Sequence, residues 1–329
     1  MNNNIKKSEK NQQTKNNILQ KCTSKKLKNP KFTSYIAPFI SKTGKERCES
    51  CGDLTIFLAD FEMKNKKLHK ASFCGNRFCP MCSWRMSCKD SLKISILMEH
   101  SRKEENKEFI FLTLTAPNVK EDKLEEEIKH YNKSFKKLMG RKEVKSIVKG
   151  YIRKLEVTYN SDMSSKSYDT YHPHFHVVIA VNKTYFKKSD LYINQQRWLE
   201  LWQEATGNSS ITQVDVRKSK SNNLKEVYEL AKYSAKDTDY LVSRPVFNVF
   251  YRALKGKQFI VFSGLFKDAN TMYENGELDC YKVRDEIEYV YMMCYQWKKR
   301  EYENTSIREL TEEERKQFNK DLLDVIEVD

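Results

Sequence analysis

The chain alternates between two kinds of apolar periodicity. Phe109–Ala116 (FIFLTLTA) is rich in β-branched and aromatic residues, reads as a strand and ends at Pro117. Glu121–Met139 has helical spacing, with Leu124, Ile128, Tyr131, Phe135 and Leu138 on one stripe and Gly140 at its end. Gly150–Tyr159 and Phe175–Val181 read as strands, Ser189–Thr206 as a helix stopped by Gly207, Ile211–Arg217 as a short strand and Leu224–Leu241 as a helix. The order β-α-β-β-α-β-α predicts an α+β fold, an antiparallel sheet with helices on one face, of ferredoxin type. Beyond residue 244 the pattern predicts a strand at Gln258–Phe262, an apolar stretch at Tyr289–Trp297 and a helix capped by Thr311 with Glu314 three residues on. The domain reading is 1–44 as a flexible basic arm, 45–100 as a zinc-binding module, 101–245 as the main α+β domain and 246–329 as an α/β extension.

Composition narrows the class. The 329 residues are 39% hydrophobic and 12% aromatic, enough for buried cores, and carry a net charge of +15. Residues 1–45 hold eleven lysines against one glutamate. Such an excess favours a polyanion, nucleic acid ahead of an anionic membrane surface. No stretch reaches the roughly 20 apolar residues of a membrane span, and Met1–Asn17 has no apolar signal core, so a cytoplasmic protein is expected. Thiols stay reduced there, and nine cysteines then point to metal. Cys48-x2-Cys51 and Cys79-x2-Cys82 are separated by 27 residues containing His69 and Cys74. The two pairs predict a tetrahedral structural zinc site, with Cys74 as the alternative ligand in place of Cys79. Arg77 and Arg85 beside it are candidate phosphate contacts. Trp84, Trp198 and Trp202 are candidates for base stacking, with core packing the more frequent role.

The chemistry concentrates in His172-Pro173-His174-Phe175-His176. On a strand His174 and His176 share one face while Phe175, Val177 and Ile179 take the other. Two imidazoles side by side are half of a divalent-metal site. Glu156, an acid inside the preceding apolar strand, is the candidate third ligand. Two histidines plus a carboxylate suit Mn2+ or Mg2+. His172, at the mouth of the strand, is a candidate DNA contact. On the helix 224–241, Glu229, Tyr233, Lys236 and Tyr240 fall within roughly 60° of one another, opposite the apolar stripe. A phenol, with an ordinary pKa of about 10, needs a neighbour such as Lys236 to serve as a nucleophile.

Three segments in order resemble the motifs of the replication initiators of Gram-positive rolling-circle plasmids, within the HUH endonuclease superfamily. They are Phe111-Leu112-Thr113-Leu114-Thr115, His172-Pro173-His174-Phe175-His176, and Glu229-Leu230-Ala231-Lys232-Tyr233-Ser234-Ala235-Lys236. Phe78-Cys79-Pro80-Met81-Cys82 and Leu265-Phe266-Lys267-Asp268 resemble one branch of these initiators. The resemblance implies a metal-dependent DNA endonuclease and strand transferase in which Tyr233 nicks one strand at the double-strand origin, forming a 5′-phosphotyrosine and leaving a 3′-hydroxyl primer. Glu229 would activate water to end the cycle. Thr113 and Thr115 would line the DNA groove, with ordinary strand packing as the alternative. Implied partners are origin DNA, single-stranded or in a hairpin at the nick, with a host helicase and DNA polymerase, and origin recognition would fall to the zinc-binding module, the 246–329 extension or both. A homodimer is compatible with the chain, and no membrane partner is expected. The rival readings are a single-tyrosine transposase or relaxase, and a zinc-dependent repressor without catalysis.

Overall fold

A computed structural model describes residues 18–219, 227, 230, 235–282, 285–319 and 325. The described strands, in chain order, are β1 (Leu54–Ala59), β2 (Lys66–Ala71), β3 (Lys107–Leu114), β4 (Gly150–Asn160), β5 (Thr170–Asn182), β6 (Val214–Lys218), β7 (Ile260–Gly264), β8 (Tyr291–Lys298) and β9 (Glu301–Glu309). The chain divides into two compact units, Met1–Met86 with Val283–Asp324, and Ser87–Lys282 with the last residues.

The first unit is built on an antiparallel sheet of order β2-β1-β8-β9. The 246–329 segment is not one extension: β7 belongs to the other unit, while β8 and β9 complete the sheet that carries the cysteines. Apolar alternation on β8 drives this, burying Met293 and Tyr295, the latter edge-on to Phe57 of β1 at 5.5 Å. Residues 18–44 are also more than an arm. Helices Ile18–Leu27 and Asn29–Ile36 bury Ile18, Cys22, Phe32 and Ile36, an apolar stripe hidden among lysines. Lys26 is itself buried, donating to the carbonyls of Glu49 and Cys51 at 2.9 and 2.8 Å and pairing with Asp53 at 2.7 Å. Thr311 and Glu314 form the expected capping box of helix Glu312–Phe318.

The second unit is a five-stranded antiparallel sheet of order β6-β3-β5-β4-β7, the expected α+β class. Its helices cover both faces rather than one. On one face, Tyr131 and Phe135 of helix Leu124–Gly140 pack edge-on against Phe175 of β5, and Trp202 of helix Gln195–Thr206 packs against Tyr131. The other face buries Phe109, Phe111, Ile152, Val178 and Ala180 under Leu92, Ile96 and Leu97 of helix Pro80–Lys103 and Phe266 and Ala269 of helix Leu265–Glu274. Both stripes of each strand are apolar over this stretch, so the sheet must be covered twice. Trp84, Trp198 and Trp202 are at most 1% exposed, so all three pack in cores and none is a base platform. Among the described helices none is long and apolar enough to cross a membrane.

Candidate metal centre and nucleic-acid site

The strand register assembles the centre. β4 and β5 pair so that Glu156 faces His174 and Lys154 faces His176, while Thr113 of β3 faces His176 from the other side. With alternation these side chains share the sheet face whose lower rungs are Val178, Ile152 and Phe111. The polar rungs therefore begin where the apolar floor ends. Glu156 Oε2 lies 3.0 Å from His176 Nε2 and 3.4 Å from His174 Nε2, and the three residues are 5, 8 and 9% exposed. The three ligand atoms lie within 4.8 Å of one another, a group that could hold one metal ion.

The two imidazoles are oriented from behind. His174 Nδ1 lies 3.2 Å from the His172 carbonyl, which only accepts, so Nδ1–H can donate there and Nε2 is the nitrogen turned to Glu156. His176 Nδ1 lies 3.3 Å from Thr113 Oγ1. Burial pulls the Glu156 carboxyl upward, but hydrogen bonds and charge from His174 and His176 outweigh it and hold the group well below its ordinary value. His172 is half-buried, its ring stacked on His174 with centroids 5.1 Å apart, and burial lowers its pKa.

The proposed DNA contacts divide. Arg77 is exposed. Arg85 is 7% exposed and donates to the Leu68 carbonyl at 3.3 Å. The Thr113 hydroxyl is engaged with His176 and that of Thr115 donates to the Gln213 carbonyl at 3.1 Å, so both serve protein partners.

Glu229 and Tyr233 lie outside the described residues. Val227 and Leu230 are helical and buried, but Ala235 sits in a bend and Lys236 is extended (φ −73°, ψ 143°) ahead of a separate helix, Asp237–Tyr240. The helix predicted over 224–241 is therefore interrupted at Ala235 and Lys236. Asp237 and Asp239 supply the first turn of the new helix, which favours acids there. The sequence reading passed over Lys154 and Asp239. Lys154 is 4% exposed on the face of the centre, and its charge reaches Asp90, whose carboxyl burial raises. Its period-two spacing from Glu156 was the available signal. Asp239 accepts from the Tyr159 amide at 3.4 Å, and the charges of Lys236 and Glu156 both reach it.

In the first unit the sulfurs of Cys51, Cys74, Cys79 and Cys82 lie within 4.8 Å of one another. Cys51–Cys82, Cys51–Cys79 and Cys74–Cys82 are 3.5, 3.5 and 3.6 Å apart, close to the ~3.8 Å edge of a zinc tetrahedron with 2.3 Å bonds. The quartet differs from the expected one: Cys74 stands where Cys48 was placed, and Cys79 keeps its position. Backbone amides explain this. Cys74 N donates to Cys51 Sγ, Gly75 N to Cys82 Sγ and Asn76 N to Cys74 Sγ at 3.4, 3.3 and 3.5 Å, with Gly75 at φ +75°. Cys48 lies in the last turn of helix Lys42–Glu49, and its thiol borders Cys74 from outside the group. Hydrogen bonds from Cys48 and Cys51 draw the Cys74 thiol far down, while bonding to Cys74 pushes Cys48 and Cys51 up.

A mixed α+β protein with a histidine–carboxylate centre on its main sheet and a four-thiol cluster in a second unit is the class these features define. A family model described as replication protein matches residues 65–304, and the chain belongs to this family. It is 52% identical over 226 residues to "Protein rep" of Staphylococcus aureus, covering 69% of this chain and 96% of that one. It is 34% identical over 278 residues to a "Protein rep" of a Bacillus species (76% and 88%) and 36% identical over 244 to one of Streptococcus pneumoniae (71% and 74%). No solved structure matches the chain significantly.

Proposed function

We propose that this protein initiates plasmid rolling-circle replication by nicking one strand of the double-strand origin through Tyr233. The phenol oxygen attacks the scissile phosphorus, the O3′ bond breaks, and the leaving O3′ takes up a proton to become the primer hydroxyl. The 5′ phosphate stays esterified to Tyr233 until Glu229 activates a water, which displaces the tyrosine. A divalent cation held by Glu156, His174 and His176 would supply Lewis-acid polarisation of the phosphate. The observation that carries this reading is the convergence of those three ligand atoms on one buried sheet face in a chain of the replication-protein family.

The protein's own groups have separable tasks. Thr113 and the His172 carbonyl fix the imidazoles, and the apolar floor of Phe111 and Val178 keeps water away from one side. Lys236, exposed ahead of helix Asp237–Tyr240, offers positive charge to the DNA backbone. The cysteine quartet would hold a structural Zn2+. Host helicase and polymerase would act on the opened origin in the cytoplasm, since the chain carries no Gly-x4-Gly-Lys-Ser/Thr loop.

The test is cleavage of a supercoiled plasmid carrying the cognate origin, with a 5′-phosphate label at the nick. The expected result is label transferred to protein, dependent on divalent metal and abolished in Tyr233→Phe. Nicking by Tyr233→Phe at the unaltered rate overturns the assignment of the nucleophile. Absence of cleavage under any divalent metal favours the repressor.

A further inference from the structure

We infer that the β8–β9 hairpin of the cysteine-bearing unit is a second DNA-docking element, gripping the phosphate backbone of duplex through Lys299 and Arg300. The inference goes beyond the nicking centre and rests on the reading of the protein as an origin-binding one only for its biological setting. Lys298 and Glu301 are paired across the strands, so the connection is a two-residue turn made of Lys299 and Arg300. Both have positive φ, +46° and +71°. Such turns favour Asn-Gly because L side chains resist the left-handed region. Here two long cations occupy it, a choice that works against the stability of the hairpin and calls for another role.

Three further observations bear on a phosphate ligand. Both cations are exposed, and neither has an acidic partner among the described residues. The hairpin is rigidly founded: the Tyr302 hydroxyl donates to the Gly52 carbonyl at 2.7 Å, the Trp297 amide donates to the Asp53 carbonyl at 2.8 Å, and the Trp297 and Tyr302 rings meet edge-on at 4.9 Å. Anchoring of this kind positions the turn backbone, leaving the two side chains to be ordered on binding. Arg300 and Trp297 also line a cleft of about 480 Å³ with Leu27, Pro30 and Lys31 from the N-terminal helices, a wall of mixed charge that also includes Lys26, Glu49 and Asp53. Closely spaced cations of this kind match neighbouring phosphates on a duplex.

The experiment exchanges the turn for the pair its geometry prefers, Lys299→Asn with Arg300→Gly, in the full chain loaded with zinc. Folding should be unharmed, with Tm equal or higher. Affinity for a short mixed-sequence duplex, measured by fluorescence anisotropy, should fall about tenfold or more, and the slope of log K against log salt should become shallower by about 2, the loss of two phosphate contacts. Unchanged affinity and slope overturn the proposal, as does failure of the unaltered protein to bind duplex at all. Loss of binding to phosphatidylglycerol vesicles with duplex affinity untouched also overturns it, assigning the tip to a lipid surface. Metal-dependent nicking by the unaltered protein is scored separately, so the nicking reading and this one fail on different measurements.

Discussion

Thr113 Oγ1 lies 3.3 Å from Nδ1 of His176, on the side of the ring away from Glu156, whose Oε2 faces Nε2 at 3.0 Å. The imidazole is thus gripped at both nitrogens by two different strands, β3 and β4. With Nε2 turned to a cation, the Nδ1–H donates to the threonine oxygen and fixes both tautomer and ring plane.

Thr113→Val keeps the shape and removes that acceptor. Mn2+ affinity, measured by calorimetry, is expected to weaken about tenfold, with thermal stability nearly unchanged. An unaltered Mn2+ affinity would show that the ring is oriented by packing alone.

Cys74→Ser and Cys48→Ser separate the two possible thiol sets. Structural zinc contributes an apparent ~10 kcal/mol to the fold around it. Cys74→Ser should therefore copurify without zinc and lose a cooperative melting transition. Cys48→Ser should retain zinc, because its sulfur stands outside the quartet. Zinc content of the two purified variants decides the matter, and the reverse result would restore the paired-CxxC set.

Gly264→Ala tests the seam between β4 and β7. Gly264 has φ +55°, and an added Cβ would strike the Lys149 carbonyl and the Gly150 Cα, both backbone atoms that cannot yield. A loss of more than about 2 kcal/mol in urea unfolding is expected, from left-handed strain plus the clash. A loss below half of that would mean that the seam opens easily.

Glu314 both caps its helix and receives Arg308 at 2.7 Å on each oxygen. The Arg308 hydrogen bond, then the Thr311 amide, push its pKa down to about 2. A lowered folded-state pKa adds stability above the ordinary carboxylate value, and that stability disappears as pH falls through about 2. Glu314→Gln should therefore lower Tm at neutral pH, and the gap from the unaltered protein should close on acidification. A gap constant with pH would assign the effect to helix propensity.

Period-two alternation along 150–159 and 175–181 was enough to put His174, His176 and Glu156 on one side of their strands, and the same alternation carried Lys154 unnoticed. Helical spacing likewise located Leu124–Gly140 and Gln195–Thr206 to within a turn or two. These are local facts, because a side chain's facing is set by its neighbours in the chain. The tertiary structure decided what depends on distant partners. It paired β8 with β1 across more than two hundred residues, covered the main sheet on its second face, and buried Lys26 and Arg85 against carbonyls. It also chose Cys74 over Cys48, since amides at 74–76 rather than the CxxC spacing aim at the sulfurs. Periodicity encodes which face a residue takes. Which faces then meet is settled by complementary packing and hydrogen bonding between segments far apart in sequence.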